Sequence, residues 1–276
     1  MTEEERRAAL VQAVRRGSRP GALARACLLV ARGEYPRLDP TVSLAEIDAF
    51  VDRTRLALAS SPAKKSWEVL AHVLGRVESF RGPLEDYDDP ENSYLNLVLA
   101  RRRGLPILLS VLWIEVARGI GLPARGIPFP GHFAVFLGTG ARGVYLDPFR
   151  GGRRLTQSEV LRLSMGPSGT ATVSRQWLHS CTPRKILLRV LANLSGSYER
   201  RGDGRRLDRV LTDQIALAPA DPMLLARRGE ARARFGDRAG ALHDLNVALA
   251  ALPGGAAFER VHEQARVLAR LGASSN

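Results

Sequence analysis

Apolar residues recur at three-and-four spacing over 4–16, 21–32, 43–59 and 65–79, so the pattern predicts helices through the first eighty residues. Ser43 and Glu46 stand at capping-box spacing, which opens the third helix at Ser43, after the turn-rich connector YPRLDPTV. The acidic run LEDYDDPENSY (84–94) follows, crowding Asp86, Asp88, Asp89 and Glu91. It lacks the sharp-turn glycine and closing glutamate of a calcium loop, so it reads as a solvated loop leading into a helix near Asn92 or Ser93.

Two helices follow, separated at Gly104. The second opens GLPILLSVLW, and Pro106 suits its first position because the missing N–H costs nothing there. Between 107 and 114 only Ser110 is polar, and a helix without a wet face belongs at the centre of a fold. It ends at Gly119 to Gly121. The period then changes to that of strands. ARGIPFP (124–130), HFAVFL (132–137) and GVYLDPF (143–149) are predicted strands, the last two joined by a GTGAR turn, with a helix at 156–164 and a loop at GPSGTATVS (166–174).

The last third is helical and repetitive. Leu225, Gly229, Gly236, Ala241, Leu245, Ala248 and Pro253 fall where the 34-residue tetratricopeptide pattern places its characteristic residues. A shift back by that period puts Leu191, Tyr198, Gly202, Leu207, Leu211 and Pro219 on corresponding positions, and 257–271 predicts a capping helix. Such helix pairs either present a groove to a protein segment or simply pack on the preceding domain. The expected architecture is α+β: a helical N-terminal part (1–84), a mixed core (85–180) and helical repeats (181–276).

Composition narrows the function. The chain has 276 residues, 45% of them hydrophobic, and a net charge of +13. Of 41 basic residues only Lys64, Lys65 and Lys185 are lysine, and scattered arginines read as a coding bias more than a binding stripe. Arg101–Arg103, Arg153–Arg154 and Arg205–Arg206 are short clusters with no interleaved aromatic residues, which argues against nucleic acid as a partner. The most apolar run, Leu105 to Ile114, stops at Glu115, short of the roughly 20 residues of a membrane span. The acidic N-terminus has no signal-like apolar stretch, so a cytoplasmic location is expected, with no membrane association. Cys27 and Cys181 lack metal spacing and read as buried, inert thiols, and neither a metal nor a cofactor is expected.

Candidate chemistry lies in the hairpin. If 132–137 and 142–147 pair around a turn at 138–141, His132 stands directly across from Asp147. A carboxylate beside an imidazole orients a general base, although the same pairing also occurs as a plain structural contact.

The order GLPILLSVL, GLPAR, GHF and LDPF resembles the transglutaminase-like, papain-related superfamily. More closely, YDDPENSYLNLVLARRRGLPILLSVLWIEVARGIGLPARGIPFPGHFAVF with DPFRGG resembles its SirB-type branch, whose members carry C-terminal tetratricopeptide-like repeats, over roughly residues 40–250. The resemblance implies a small antiparallel sheet packed on a central helix, with His132 and Asp147 as the superfamily's His and Asp. It also places Pro106 where the superfamily has its nucleophilic cysteine, and without a thiol that acyl-transfer route is closed. Ser110, one turn further along, is the substitute within the helix, although a buried serine commonly bonds back to the carbonyl four residues earlier.

The resemblance therefore implies a pseudoenzyme, a non-catalytic protein-binding or regulatory module. Its His132–Asp147 pocket would take a peptide or amide-bearing side chain, and its repeats would add a second contact. The alternative is a hydrolase or amidase using Ser110 or water, with His132 as base and Asp147 as its orienter.

Overall fold

Asp39 and Pro40 open the third helix earlier than the Ser43–Glu46 spacing suggests. Asp39 accepts the Thr41 N–H at 2.9 Å, and Pro40 takes the first helical position, so Ser43 lies buried inside the helix instead of capping it. In the computed structural model, which describes residues 1–17, 19–140, 143–165 and 181–273, the N-terminal helices are α1 (Glu3–Arg15), α2 (Ala22–Glu34), α3 (Pro40–Ala59) and α4 (Ser66–Ala71). The last continues as a π-helical turn, His72–Val77. The loop expected at 166–174 and part of the GTGAR turn lie outside the described residues.

A short 3-10 turn, Pro90–Ser93, leads into α5 (Leu95–Arg101), and Pro106 begins α6 (Pro106–Gly119). Every residue of α6 from Pro106 to Ala117 is buried. It is wrapped by α2, α3, α4 and α5 and by strands β1 (Ala124–Phe129) and β2 (His132–Leu137). With β3 (Val144–Asp147) and the two-residue β4 (Arg153–Arg154), these form an antiparallel sheet in the order β1-β2-β3-β4. On one sheet face Ile127, Phe129, Ala134 and Phe136 pack with Leu155 and with Val160 of α7 (Gln157–Met165), a cluster that contains no α6 residue.

The chain forms two compact units, Met1–Val190 and Leu191–Asn276, divided within α8 (Pro183–Arg200), so residues 1–84 and the sheet fall in one unit. The second unit continues with α9 (Gly204–Leu217), α10 (Pro222–Arg234), α11 (Arg238–Ala251) and α12 (Ala256–Ala273). Successive helices of this series pack on one another, with Ala226, Leu245, Ala248 and Val261 as its apolar centre. Asp244 of α11 is fully buried and takes a bidentate grip from Arg228 at 2.7 and 2.8 Å and a third bond from Arg232 at 3.1 Å. Arg228 also reaches Thr212, and Arg232 reaches Asp208, so one carboxylate ties α9, α10 and α11 together.

Glu115 has a comparable role in the first unit. Gly21 provides no side-chain cap for α2, and the Glu115 carboxylate instead accepts the N–H groups of Gly21, Leu23 and Ala24 at 2.7, 2.9 and 3.1 Å.

Two outcomes are expected. Asp244→Ala leaves Arg228 without a carboxylate and Arg232 with only its outer partners, and lowers the stability of the C-terminal unit by about 3–5 kcal/mol, read from the urea midpoint by circular dichroism. Burial outweighs the three amide donors and raises the Glu115 carboxyl above the ordinary glutamate range. The folded state therefore holds that proton more tightly than the unfolded chain, and this stabilisation is lost as pH rises through the folded value. Between about pH 4 and 7, urea midpoints should fall with pH more steeply in the wild type than in Glu115→Gln.

Candidate functional site

The hairpin that carries the site is longer than its sequence suggests. Val135 pairs with Leu146, Phe136 with Tyr145 and Leu137 with Val144, two residues out of the expected register, because the connection spans 138–143 rather than 138–141. Gly138 and Gly140 both adopt positive φ within it. His132 is therefore not directly across from Asp147. A shift of two residues nevertheless preserves the sheet face, and the two side chains meet along the diagonal.

His132 Nε2 lies 3.1 Å from Asp147 Oδ1, with the histidine side chain 16% exposed and the aspartate side chain 4%. Asp147 also accepts the Phe149 N–H at 3.1 Å, capping the 3-10 turn Pro148–Arg150, so its orientation is fixed from two directions. Arg189 of α8 donates to the carbonyls of Phe129 and His132 at 3.0 and 2.9 Å, bracing the tight turn at Pro130 and Gly131. The Phe149 ring stands edge-on to the imidazole at 6.2 Å and to Tyr87 at 6.1 Å. With Nε2–H donating to Asp147, Nδ1 remains as the acceptor of a neutral ring.

This pair opens on a cleft of about 540 Å³ whose walls include Arg150, Arg153, Glu159 and Arg162. Pro106 and Ser110 do not line it, and no serine, threonine or cysteine is among its described lining residues. Ser110 is fully buried, and its Oγ has no hydrogen-bond partner among the described residues, so the expected bond back to the Pro106 carbonyl is not made. Cys27 is buried, and burial together with the Glu115 carboxylate pushes its thiol far up. Cys181 is only partly buried, contrary to expectation. Its N–H donates to Gly126, and burial raises its thiol too, away from the thiolate a nucleophile needs.

Among the described residues no group of three or more His, Cys, Asp or Glu side chains is placed to hold a metal ion, and no helix is long and apolar enough to cross a membrane.

The arginine clusters are largely committed to internal contacts. Arg101 pairs with Asp89 and Glu91. Arg102 pairs with Glu46 and Glu78 and lies over the Phe50 and Phe80 rings, while Arg103 donates to the Ser79 carbonyl. Arg153 pairs with Glu159 at 2.7 Å, Arg154 lies over Trp67, and Arg206 pairs with Asp203 at 2.6 Å. Sequence reasoning missed Arg150, Glu159 and Arg162 as walls of the cleft. The only signal for Arg150 was the charge of FRGGRR after Asp147, while Glu159 and Arg162 lie on α7, whose place beside the hairpin nothing local reveals.

The family described as Transglutaminase-like superfamily (Transglut_core2) matches residues 42–192. A UPF0162 protein of Xylella fastidiosa is 38% identical over 233 residues, covering 82% of each chain. A UPF0162 protein of Pseudomonas aeruginosa is 33% identical over 189 residues, covering 67% of each. F-box only protein 21 of Mus musculus is 33% identical over 143 residues, which cover 49% of this chain and 22% of that protein. No solved structure matches the chain.

Asp147→Ala removes both the imidazole partner and the cap on Phe149. The expected result is a loss of about 1–3 kcal/mol in stability. In ¹⁵N-resolved NMR, the preference of His132 for the Nε2–H tautomer should disappear in the same variant.

Proposed function

The chain belongs to the transglutaminase-like superfamily, alongside the UPF0162 proteins, and from that premise we propose that it is a non-catalytic member acting as a protein-binding, regulatory module. The observation that carries this reading is the composition of the His132–Asp147 cleft, which offers an oriented imidazole and cationic walls but no described nucleophilic side chain. On this reading Pro106 occupies the place of the superfamily's cysteine, and its value there is conformational, as the first residue of a helix with no wet face. The cleft takes a peptide or amide-bearing side chain, with His132 Nδ1 as hydrogen-bond acceptor and the arginine walls as donors.

The chain fits the SirB-type branch, in which the C-terminal helices form tetratricopeptide-like repeats. Supporting this, α9 and α11 begin one 34-residue period apart, at Gly204 and Arg238. The repeats supply a second contact to the partner, in the cytoplasm. A hydrolase built on Ser110 would need that hydroxyl within reach of His132, yet it is buried, without a hydrogen-bond partner among the described residues and absent from the lining of the cleft.

Two measurements test the proposal. Peptides selected from a displayed library on the wild-type protein should bind His132→Ala at least about tenfold more weakly, the loss of a hydrogen-bonding anchor; equal affinity would sink the cleft's role. Incubation with serine- and thiol-directed covalent probes, read by intact mass and peptide mapping, should leave Ser110 unmodified. A single stoichiometric adduct there would overturn the non-catalytic reading.

A further inference from the structure

A second groove, of about 1,090 Å³, lies on the other side of the Phe149–Arg153 loop and shares Arg150 and Arg153 with the dyad's cleft. Its wall is the π-helical turn His72–Val77 and the segment that follows. We propose that this groove binds an extended acidic peptide segment carrying an apolar side chain. The inference extends the protein-binding reading above, but its site does not use the dyad.

Three observations carry it. First, three of the cations here are unspent, although Arg153 pairs with Glu159. Lys64, Arg76 and Arg81 are exposed and have no carboxylate partner among the described residues, unlike Arg101 and Arg102. Arg150 is 65% exposed, and its guanidinium is 3.8 Å from Asp147. The acid in the wall, Glu68, is held by the Lys65 N–H at 3.2 Å. A groove with a surplus of one charge sign attracts and orients the opposite sign.

Second, the backbone of the groove is unusual where it lines the space. A π-helical turn is rare and recurs at functional sites. Ser79 adopts φ +59°, a conformation that costs a non-glycine residue about 1–3 kcal/mol, and Arg103 holds its carbonyl at 3.0 Å. A Cβ at Gly75 would collide with the Gly151 carbonyl and one at Gly82 with the Phe149 ring, so these glycines let the segment after α4 pack directly against the Phe149–Gly151 backbone and ring that line the other side of the groove.

Third, the groove suits a polypeptide better than an ion or a nucleic acid. Its volume far exceeds what an inorganic anion needs, and its cations come from separate segments instead of converging on a point. Leu84, 85% exposed, gives an apolar contact. Trp67, the indole of the wall, is covered by Arg154 at 5.6 Å, so it is not free to stack a base.

The test is fluorescence anisotropy of the full chain with a short labelled peptide of glutamates around a central leucine. Binding should weaken as salt rises, since these charges are exposed. Arg76→Glu with Arg81→Glu should weaken it at least about tenfold, while Arg260→Glu, on exposed α12, leaves it unchanged. Arg76→Gln with Arg81→Gln, which keeps size and removes charge, serves if the reversal disturbs the thermal melt. Wild-type affinity in the folded Arg76/Arg81 variants overturns the proposal, as does tighter binding of a single-stranded oligonucleotide of equal charge. His132→Ala separates the two sites: unchanged glutamate-peptide binding there supports the groove whatever becomes of the library peptides, and a loss matching that of the Arg76/Arg81 variants overturns a separate groove.

Discussion

Everything in the first unit depends on α6 having no face that water can touch. Twelve consecutive residues, Pro106 to Ala117, are buried, and a helix in that condition is stable only if other elements enclose it. The enclosure comes from α2, α3 and the sheet, and it explains why the helices before residue 84 belong to the same compact unit as the strands. The one charge in that buried run, Glu115, would be costly there if left unpaired. It is tolerated because α2 begins at Gly21 without a cap of its own and needs an acceptor for its first N–H groups. Each group satisfies the other's deficit, and the start of α2 is thereby fixed against the middle of α6.

The sheet inherits a division of labour from this arrangement. Alternation along β2 puts His132, Ala134 and Phe136 on one face, where the apolar cluster is completed by Leu155 and α7 and includes nothing from α6. The imidazole thus looks toward a surface built from the segment after β3 and from α7, not toward the buried stretch that contains Ser110. Arg189 and the Phe149 N–H hold the His132 carbonyl and the Asp147 carboxylate from outside the strands, so the pair keeps its geometry although it lies at the strand ends.

Elements with a strong period were legible in the sequence, and so was the chemistry that depended only on parity. The α6 span, its Pro106 start and the β2 limits follow from apolar spacing and turn residues alone. The His132–Asp147 pairing survived a register two residues off, since an even shift leaves both side chains on one face; an odd one would have parted them. What could not be read were features set by partners distant in the chain. Asp39–Pro40 and Ser43–Glu46 are both legitimate helix starts, and only packing chooses between them. The sequence does not show what Arg101, Arg102 and Arg103 touch: the fold brings Asp89, Glu91, Glu46 and Glu78 beside the first two and the Ser79 carbonyl beside the third. The hydroxyl of Ser110 could have turned to its own helix, and nothing local reveals that it does not.

Net charge is therefore a poor guide to this protein and unpaired charge a better one. A surplus of +13 spread over a chain with a sequence pI near 10.9 says little about where an anion would sit. Folding sorts those cations. Arg228 and Arg232 are consumed in tying three helices to Asp244, and Arg102 is consumed over Phe50 and Phe80. Among the described residues Lys64, Arg76 and Arg81 remain without carboxylates, beside a π-helical turn and a positive-φ serine. Neither of those backbone features is the cheapest way to run a chain from α4 to α5. Strain of this kind persists only where the surrounding structure over-determines it, and here it accompanies charge that the fold itself does not use.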